Sequence, residues 1–222
     1  MPESVKSRSY RSPLRDEQAR QTRNGILAAA RRLFTEHGYT ATTVAEIAAA
    51  AGVAVDTVYT AVGAKSVIFR LLLETAISGQ DEAVPAEERD YVRRIKAQPR
   101  ARQKIATYAA AVRAVGERQG PLHLVLRDAA AQAPELARAR DDIISRRAKN
   151  MRLLAQDLLA TGDLRPDLDS DQIADVVWTM NSAEFYHLLV HECGWSPTRF
   201  EQWLADTWCR LFLAEHPSAD PA

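Results

Sequence analysis

Apolar residues along this chain recur at spacings of three and four rather than in alternation, the signature of helices with one buried face. Ile26, Leu27, Ala30, Leu33 and Phe34 predict a helix over residues 16–37, with Gly38 as its stop. Thr43 and Glu46 then form the T-x-x-E capping box, and Val44, Ile47, Ala48 and Ala51 give a short stripe ended by Gly52. Val55, Val58, Tyr59 and Val62 repeat that stripe until Gly63, and Ile68, Leu71, Leu72, Thr75 and Ala76 predict a further helix fading at Gly79. The stretch "GQDEAVPAEERDYVRRIKAQPR", broken by Pro85 and Pro99, reads as a connector with one or two helical turns near Tyr91.

Beyond Pro99 the helical period resumes. Ile105, Tyr108, Ala109, Val112 and Val115 share one face, and "PLHLVLRDAAA" reads as a separate, shorter helix opening at Pro121. A long helix opens at Pro134 and stops at Gly162; another is capped by Asp169 or Ser170 and runs to Gly194. Ser196-Pro197 opens the last, in the favoured N-cap and N1 order. No alternating strand pattern and no internal repeat is present. The fold expected is all-α.

Composition narrows the class. At 222 residues and 46% hydrophobic, the chain can bury a core, which excludes general disorder. A net charge of zero excludes a strongly basic nucleic-acid coat. Charge is nonetheless uneven: residues 1–35 hold eight basic side chains against three acidic ones, a net +5 that the rest of the chain balances. Residues 1–15, rich in Ser, Arg and Pro, read as a flexible basic arm. The two cysteines, Cys193 and Cys209, are too few for a disulfide framework and suit a reducing, cytoplasmic setting. The amino terminus lacks the apolar core of a secretory signal. No stretch approaches the roughly 18 apolar residues of a membrane span, so no membrane partner is expected.

Two short helices joined by a glycine turn make a helix-turn-helix, with the helix at 16–37 as the third wall. The small Ala48 and Ala51 let these helices approach closely, and the turn sets the second at a steep angle, able to enter a major groove. The segment "ILAAARRLFTEHGYTATTVAEIAAAAGVAVDTVYTAVGAKSVIF" resembles the amino-terminal domain of TetR-family transcriptional regulators. Phe34, Gly38, Thr43, Ile47-Ala48, Ala51-Gly52-Val53, Thr57-Val58-Tyr59 and Lys65 carry the resemblance, and the remaining chain fits the family in size and helix content. Three positions depart from the usual pattern: Ala54 where a capping serine is frequent, Asp56 where a small residue is common, and Val62 where an aromatic is frequent.

The resemblance implies a flexible arm and helix start over 1–19, a DNA-binding domain over 20–79, and a regulatory and dimerisation domain over 80–222. It implies a recognition helix near Val55–Val62, with Ala54, Val55, Asp56, Thr57 and Thr60 nearest the base edges. Val55 suits a thymine methyl, and Thr57 or Thr60 a hydrogen bond. Asp56 either accepts from cytosine N4 or complements the helix dipole at the first turn. Thr43, Tyr59 and Lys65 match family positions that contact phosphates; for Tyr59 the alternative is packing on the first helix. Arg20 and Arg23 reach the minor groove or backbone, or are solvated surface charges. One such motif covers too little DNA for strong specificity, so the expected partner is a palindromic operator bound by a homodimer.

The carboxy-terminal helices carry more apolar surface than one partner can cover, which points to burial on a second side by another subunit. The candidate dimer residues are Ile173, Val177, Met180, Phe200, Trp203, Trp208 and Leu211; the family pairs these two helices as a four-helix bundle. The family also implies a small-molecule effector site over about residues 100–190, for which Tyr108, His123, Arg127, Met151, Trp178 and Asn181 are the polar or aromatic candidates. In the family such regulators are most often repressors, released when an effector shifts the dimer away from its DNA-matched spacing. No cofactor and no metal is expected. His187 and His191, at i and i+4 with Cys193 nearby, have ligand-like spacing but no fourth ligand, and "HECGW" lacks the second histidine of a metalloprotease. No catalytic motif is visible, so the chain is not read as an enzyme. The rival readings are a helical protein that keeps the motif without binding DNA, and a metalloenzyme at His187 and His191.

Overall fold

A computed structural model describes residues 13–214, and within them the chain folds into ten α-helices. Of the expected basic arm, residues 1–12 lie outside the described residues, whereas Arg15 already belongs to the first helix. The chain divides between Phe69 and Arg70 into two compact units.

The amino-terminal unit holds α1 (Pro13–Ala41), α2 (Val44–Ala51), α3 (Val55–Ala61) and the start of α4 (Lys65–Ser78). The regular turn of α1 breaks at Gly38, whose φ of 80° and ψ of 170° are easy for glycine and costly for other residues. That break turns Tyr39 back onto Phe34, with ring centroids 5.6 Å apart, and Phe69 closes the aromatic cluster at 5.2 Å from Phe34 and 5.4 Å from Tyr39. Ile26, Ala30, Phe34, Ile47 and Val58 are fully buried, so the predicted stripes of α1, α2 and α3 do meet in one core. Thr42, also buried, donates its hydroxyl to Gly38 O at 2.8 Å. Thr43 and Glu46 form both hydrogen bonds of the capping box.

The second unit is built round α6 (Ala101–Ala130), which packs against α5 (Asp90–Ala97), α7 (Pro134–Leu159), α9 (Ala183–His187) and α10 (Pro197–Phe212). α8 (Ser170–Met180) lies along α7. Its core gathers Ile105, Tyr108, Val112, Met151, Ile173, Val177, Phe200, Leu204, Trp208 and Phe212. The Tyr108 ring stacks on Trp208 with centroids 5.6 Å apart.

Two expectations about this unit are corrected. Pro121 does not open a separate helix, because α6 runs straight through it. The proline removes one backbone donor, at a cost of about 3 kcal/mol, but buried residues from Val112 to Leu126 hold the axis on both sides. Nor is the stretch from Ser170 to Gly194 one helix. Asn181 closes α8 by donating its backbone N–H to Val177 O at 2.9 Å, and extended Ser182 restarts the chain as the N-cap of α9. A π-helical turn, Leu188–Glu192, follows. Ser182 was the available signal for that break.

Candidate functional site

In the amino-terminal unit, α2 and α3 meet at 96°. The turn is made by Gly52 at φ 68°, while Val53 N–H donates to Ala48 O at 3.0 Å, so the open carbonyls of α2 are closed within the turn itself. A Cβ at Gly52 would touch nothing, so the glycine is required for its backbone conformation alone. α3 enters this angle anchored by Val58, its only fully buried side chain among the described residues. Ala54, Val55, Asp56, Tyr59 and Thr60 are exposed, with Tyr59 at 52%, and Thr57 is half-buried. A seven-residue helix that yields one side chain to its own core presents most of its surface outward.

Hydrogen bonds refine the expected roles. Ala54 provides no side-chain cap for α3, as its substitution for serine foretells. Thr60 spends its proton on Asp56 O at 2.7 Å, leaving its oxygen as an acceptor. Thr43 Oγ1 both donates to the Glu46 carboxylate and accepts from Glu46 N–H, and the Thr43 backbone N–H draws the Glu46 carboxyl below its ordinary pKa. Lys65 is deeply committed within the unit. Its ammonium donates to Tyr39 O and Thr42 O, both at 2.9 Å, and lies 4.3 Å from the Tyr39 ring centroid. It therefore braces the segment that leads into Thr43, a role that helical spacing did not disclose. Arg20 is exposed and paired with Glu17; Arg23 stands one turn further along α1, half-buried.

In the second unit the structure brings together three of the six candidate effector residues. Asn181 Nδ2 donates to Tyr108 Oη at 2.6 Å and lies 2.9 Å from Met151 Sδ, while Tyr108 Oη is 3.2 Å from the same sulfur. Burial drives the Tyr108 phenol upward in pKa, so it stays protonated. Trp178 joins through Arg147, whose guanidinium sits 4.4 Å from the indole centroid and donates to Trp178 O at 3.0 Å. Sequence reading missed Arg147, because "DDIISRRAKN" looks like a solvated charged face. His123 Nε2 lies 3.2 Å from the Glu184 carboxylate without a well-formed hydrogen bond, and its proximity holds that carboxyl down at about 2. Arg127 is exposed and paired with Asp128, apart from the cluster. Beside Tyr108, a cavity lined by Ile105, Leu154, Leu158, Val177, Trp208 and Phe212 has a volume of about 10 Å³. That is one water's room, far below the roughly 300 Å³ at which ligand sites begin, so an effector has to open it. A shallow groove of about 230 Å³ runs past Ala148, Arg152, Ala174, Asp175 and Trp178.

Of the dimer candidates, Ile173, Val177, Phe200 and Trp208 are buried in the chain's own core. Their apolar character answers to that core. Met180 and Trp203 are half-buried, and Leu211 is exposed, as is Leu188. His187 and His191 have ring centroids 5.2 Å apart, but no three His, Cys, Asp or Glu side chains among the described residues converge as metal ligands. No single helix of the described residues is long and apolar enough to cross a membrane.

Comparison with known proteins agrees with this geometry. Residues 26–70 match the family model for bacterial regulatory proteins of the tetR family. No curated protein sequence matches the chain. Among solved structures, NalD of Pseudomonas aeruginosa, the secondary repressor of the MexAB-OprM multidrug efflux pump, superposes with a TM-score of 0.69 at 22% identity, over 90% of this chain and 100% of that one. A protein from Saccharomonospora viridis, solved in complex with choline, gives 0.67 at 18% identity, over 88% and 99%. The ketosteroid transcriptional regulator KstR2 of Mycobacterium tuberculosis gives 0.59 at 19% identity, over 87% and 95%.

Proposed function

We propose that this chain, whose residues 26–70 match the tetR-family model and whose described residues have the TetR-like fold, is a ligand-responsive DNA-binding transcriptional regulator. It acts as a homodimer on a palindromic operator, represses from it, and is released by a small molecule. Its setting is cytoplasmic. The observation that carries this reading is the 96° turn that leaves Val55, Asp56, Tyr59 and Thr60 exposed on a helix held by Val58. No internal packing need explains that outward face; insertion into a major groove does. Ala54 to Thr57 and Thr60 are assigned to base edges, and Thr43, Tyr59, Lys65, Arg20 and Arg23 to the phosphate backbone. Lys65 contributes mainly by holding the segment before Thr43 in place.

The dimer surface is assigned to Met180, Trp203 and Leu211, the three candidates that keep solvent-accessible area. A neighbour's complex with choline and another's role at a drug-efflux pump support a small-molecule effector in the second unit, where Tyr108, Met151, Trp178 and Asn181 gather with Arg147. The residues divide as an arm and the start of the first helix over 1–19, a DNA-binding domain over 20–79 and a regulatory and dimerisation domain over 80–222.

The test is DNA binding by the full chain, first to fragments upstream of its own gene and then to operators recovered from genomic DNA. Binding is expected to fall with salt. Arg23→Ala flattens the slope of log affinity against log salt by about 0.9. Tyr59→Phe leaves the slope alone and weakens binding about tenfold or more, the worth of a hydrogen bond to a charged acceptor. A chain that recovers no genomic fragment, or that stays monomeric at micromolar concentration, sinks the reading.

A further inference from the structure

The second unit keeps several polar atoms sealed from water without a partner. Arg147 Nε, Trp178 Nε1 and Asn181 Oδ1 are each buried and make no hydrogen bond. A buried donor or acceptor left unpaired keeps its desolvation cost, and more so when charged, so three in one neighbourhood is a standing penalty that packing does not require. Arg147 is the sharpest case. One of its five N–H groups closes the carboxy-terminal turn of α8 through Trp178 O, and its plane rests on the Trp178 ring. No ion pair joins it to a carboxylate of the described residues. Glu184 is the carboxylate that stabilises its charge from a distance, and one of its oxygens faces His123 Nε2 at 3.2 Å. Burial pulls the guanidinium below its ordinary pKa, yet arginine stays charged in proteins.

From this we infer that the effector is an organic acid whose carboxylate binds Arg147 and the Trp178 indole N–H, with its apolar body opening the cavity between Tyr108, Val177 and Trp208. The inference rests on the effector reading given above and adds its chemistry. A carboxylate offers acceptors to both stranded donors, and two parallel hydrogen bonds from a guanidinium fork are the strongest pairing available to it. A cationic headgroup meets repulsion here, because Arg147 already covers the face of Trp178 that would attract it. A neutral alcohol satisfies one donor and leaves the guanidinium unneutralised. Asn181 Oδ1, the stranded acceptor, favours acids that carry a hydroxyl as well. The break between α8 and α9 is what makes this possible, since it places the Asn181 amide against Tyr108 and Met151.

The experiment uses the full chain and three probes that share a ring and differ in headgroup: benzoate, benzyl alcohol and benzylammonium. Melting temperature and tryptophan fluorescence report binding at millimolar concentration and constant ionic strength. Benzoate alone is expected to raise the melting temperature, and Arg147→Met to weaken it about tenfold or more. Arg147→Lys, which keeps the charge but not the fork, should fall between the two. Equal stabilisation by benzyl alcohol or benzylammonium, no effect of benzoate, or benzoate affinity unchanged in the arginine variants would each overturn the assignment. If Arg147→Met fails to fold, Arg147→Lys decides. DNA binding is measured alongside, without and with each probe: its absence in the wild-type chain sinks the regulator itself, whereas DNA release by benzylammonium sinks only the organic acid.

Discussion

The two units close their helix ends by different means. In the amino-terminal unit the closures are mostly local: Thr43 and Glu46 cap α2 from within its first turn, and Gly52 ends it within the next residue. In the second unit local caps by Asp169, Ser182 and Ser196 are joined by closures from far along the chain. The Ala101 N–H at the start of α6 donates to Asp163 Oδ2 at 2.9 Å; Lys104, almost fully buried, donates to Ile95 O at the end of α5 and to Asp157 Oδ2 at 2.8 Å; Arg147 closes α8. A locally closed motif can leave one helix face free for a partner without losing its shape. A unit closed by long-range contacts can be repacked by a ligand that replaces one of them. The division suits the DNA reader and the effector sensor proposed above.

Four measurements sharpen or break this comparison. Phe34→Ala should have the largest effect, about 4 kcal/mol by chemical denaturation, because a fully buried ring is removed from the Phe34–Tyr39–Phe69 cluster. Salt-dependent DNA binding should weaken with it; a mild loss would show that local closure alone holds the motif. Gly116→Ala should cost about 2 kcal/mol, since its Cβ would lie 2.5 Å from the buried Tyr186 ring. Hydrogen exchange should then rise in α6 and α9, with α2 and α3 unchanged; exposure spreading to the DNA-binding motif would contradict the local-closure picture.

Gly52→Ala should cost about 1 kcal/mol, for positive φ alone, because nothing stands near the added methyl. A larger loss would mean that the turn carries packing as well. The smallest effect is a pH dependence. His123 holds the folded Glu184 carboxyl at about 2, below its unfolded value, so its contribution is present above about pH 4.3 and disappears as pH falls toward 2. With 57% of the side chain exposed, screening reduces this to below about 1 kcal/mol. The difference in denaturation midpoint between wild type and Glu184→Gln should therefore shrink on acidification; a difference that grows would reverse the assignment.

By itself the sequence determined the all-α class, the helix-turn-helix with its capping box and glycine turn, and the positions of most helices. Periodicity and caps act within one or two turns, so a linear chain displays them. It could not show which apolar residues of α8 and α10 remain uncovered, and Ile173, Val177, Phe200 and Trp208 proved to belong to the internal core. Nor could it show that α6 survives Pro121, that Lys65 braces Tyr39 and Thr42, or that Arg147 is stranded beside Trp178. A helical stripe says that a face is buried and is silent about what covers it. Which polar atoms are left over is settled only when distant helices meet, because a hydrogen bond depends on two partners and the sequence displays them one at a time.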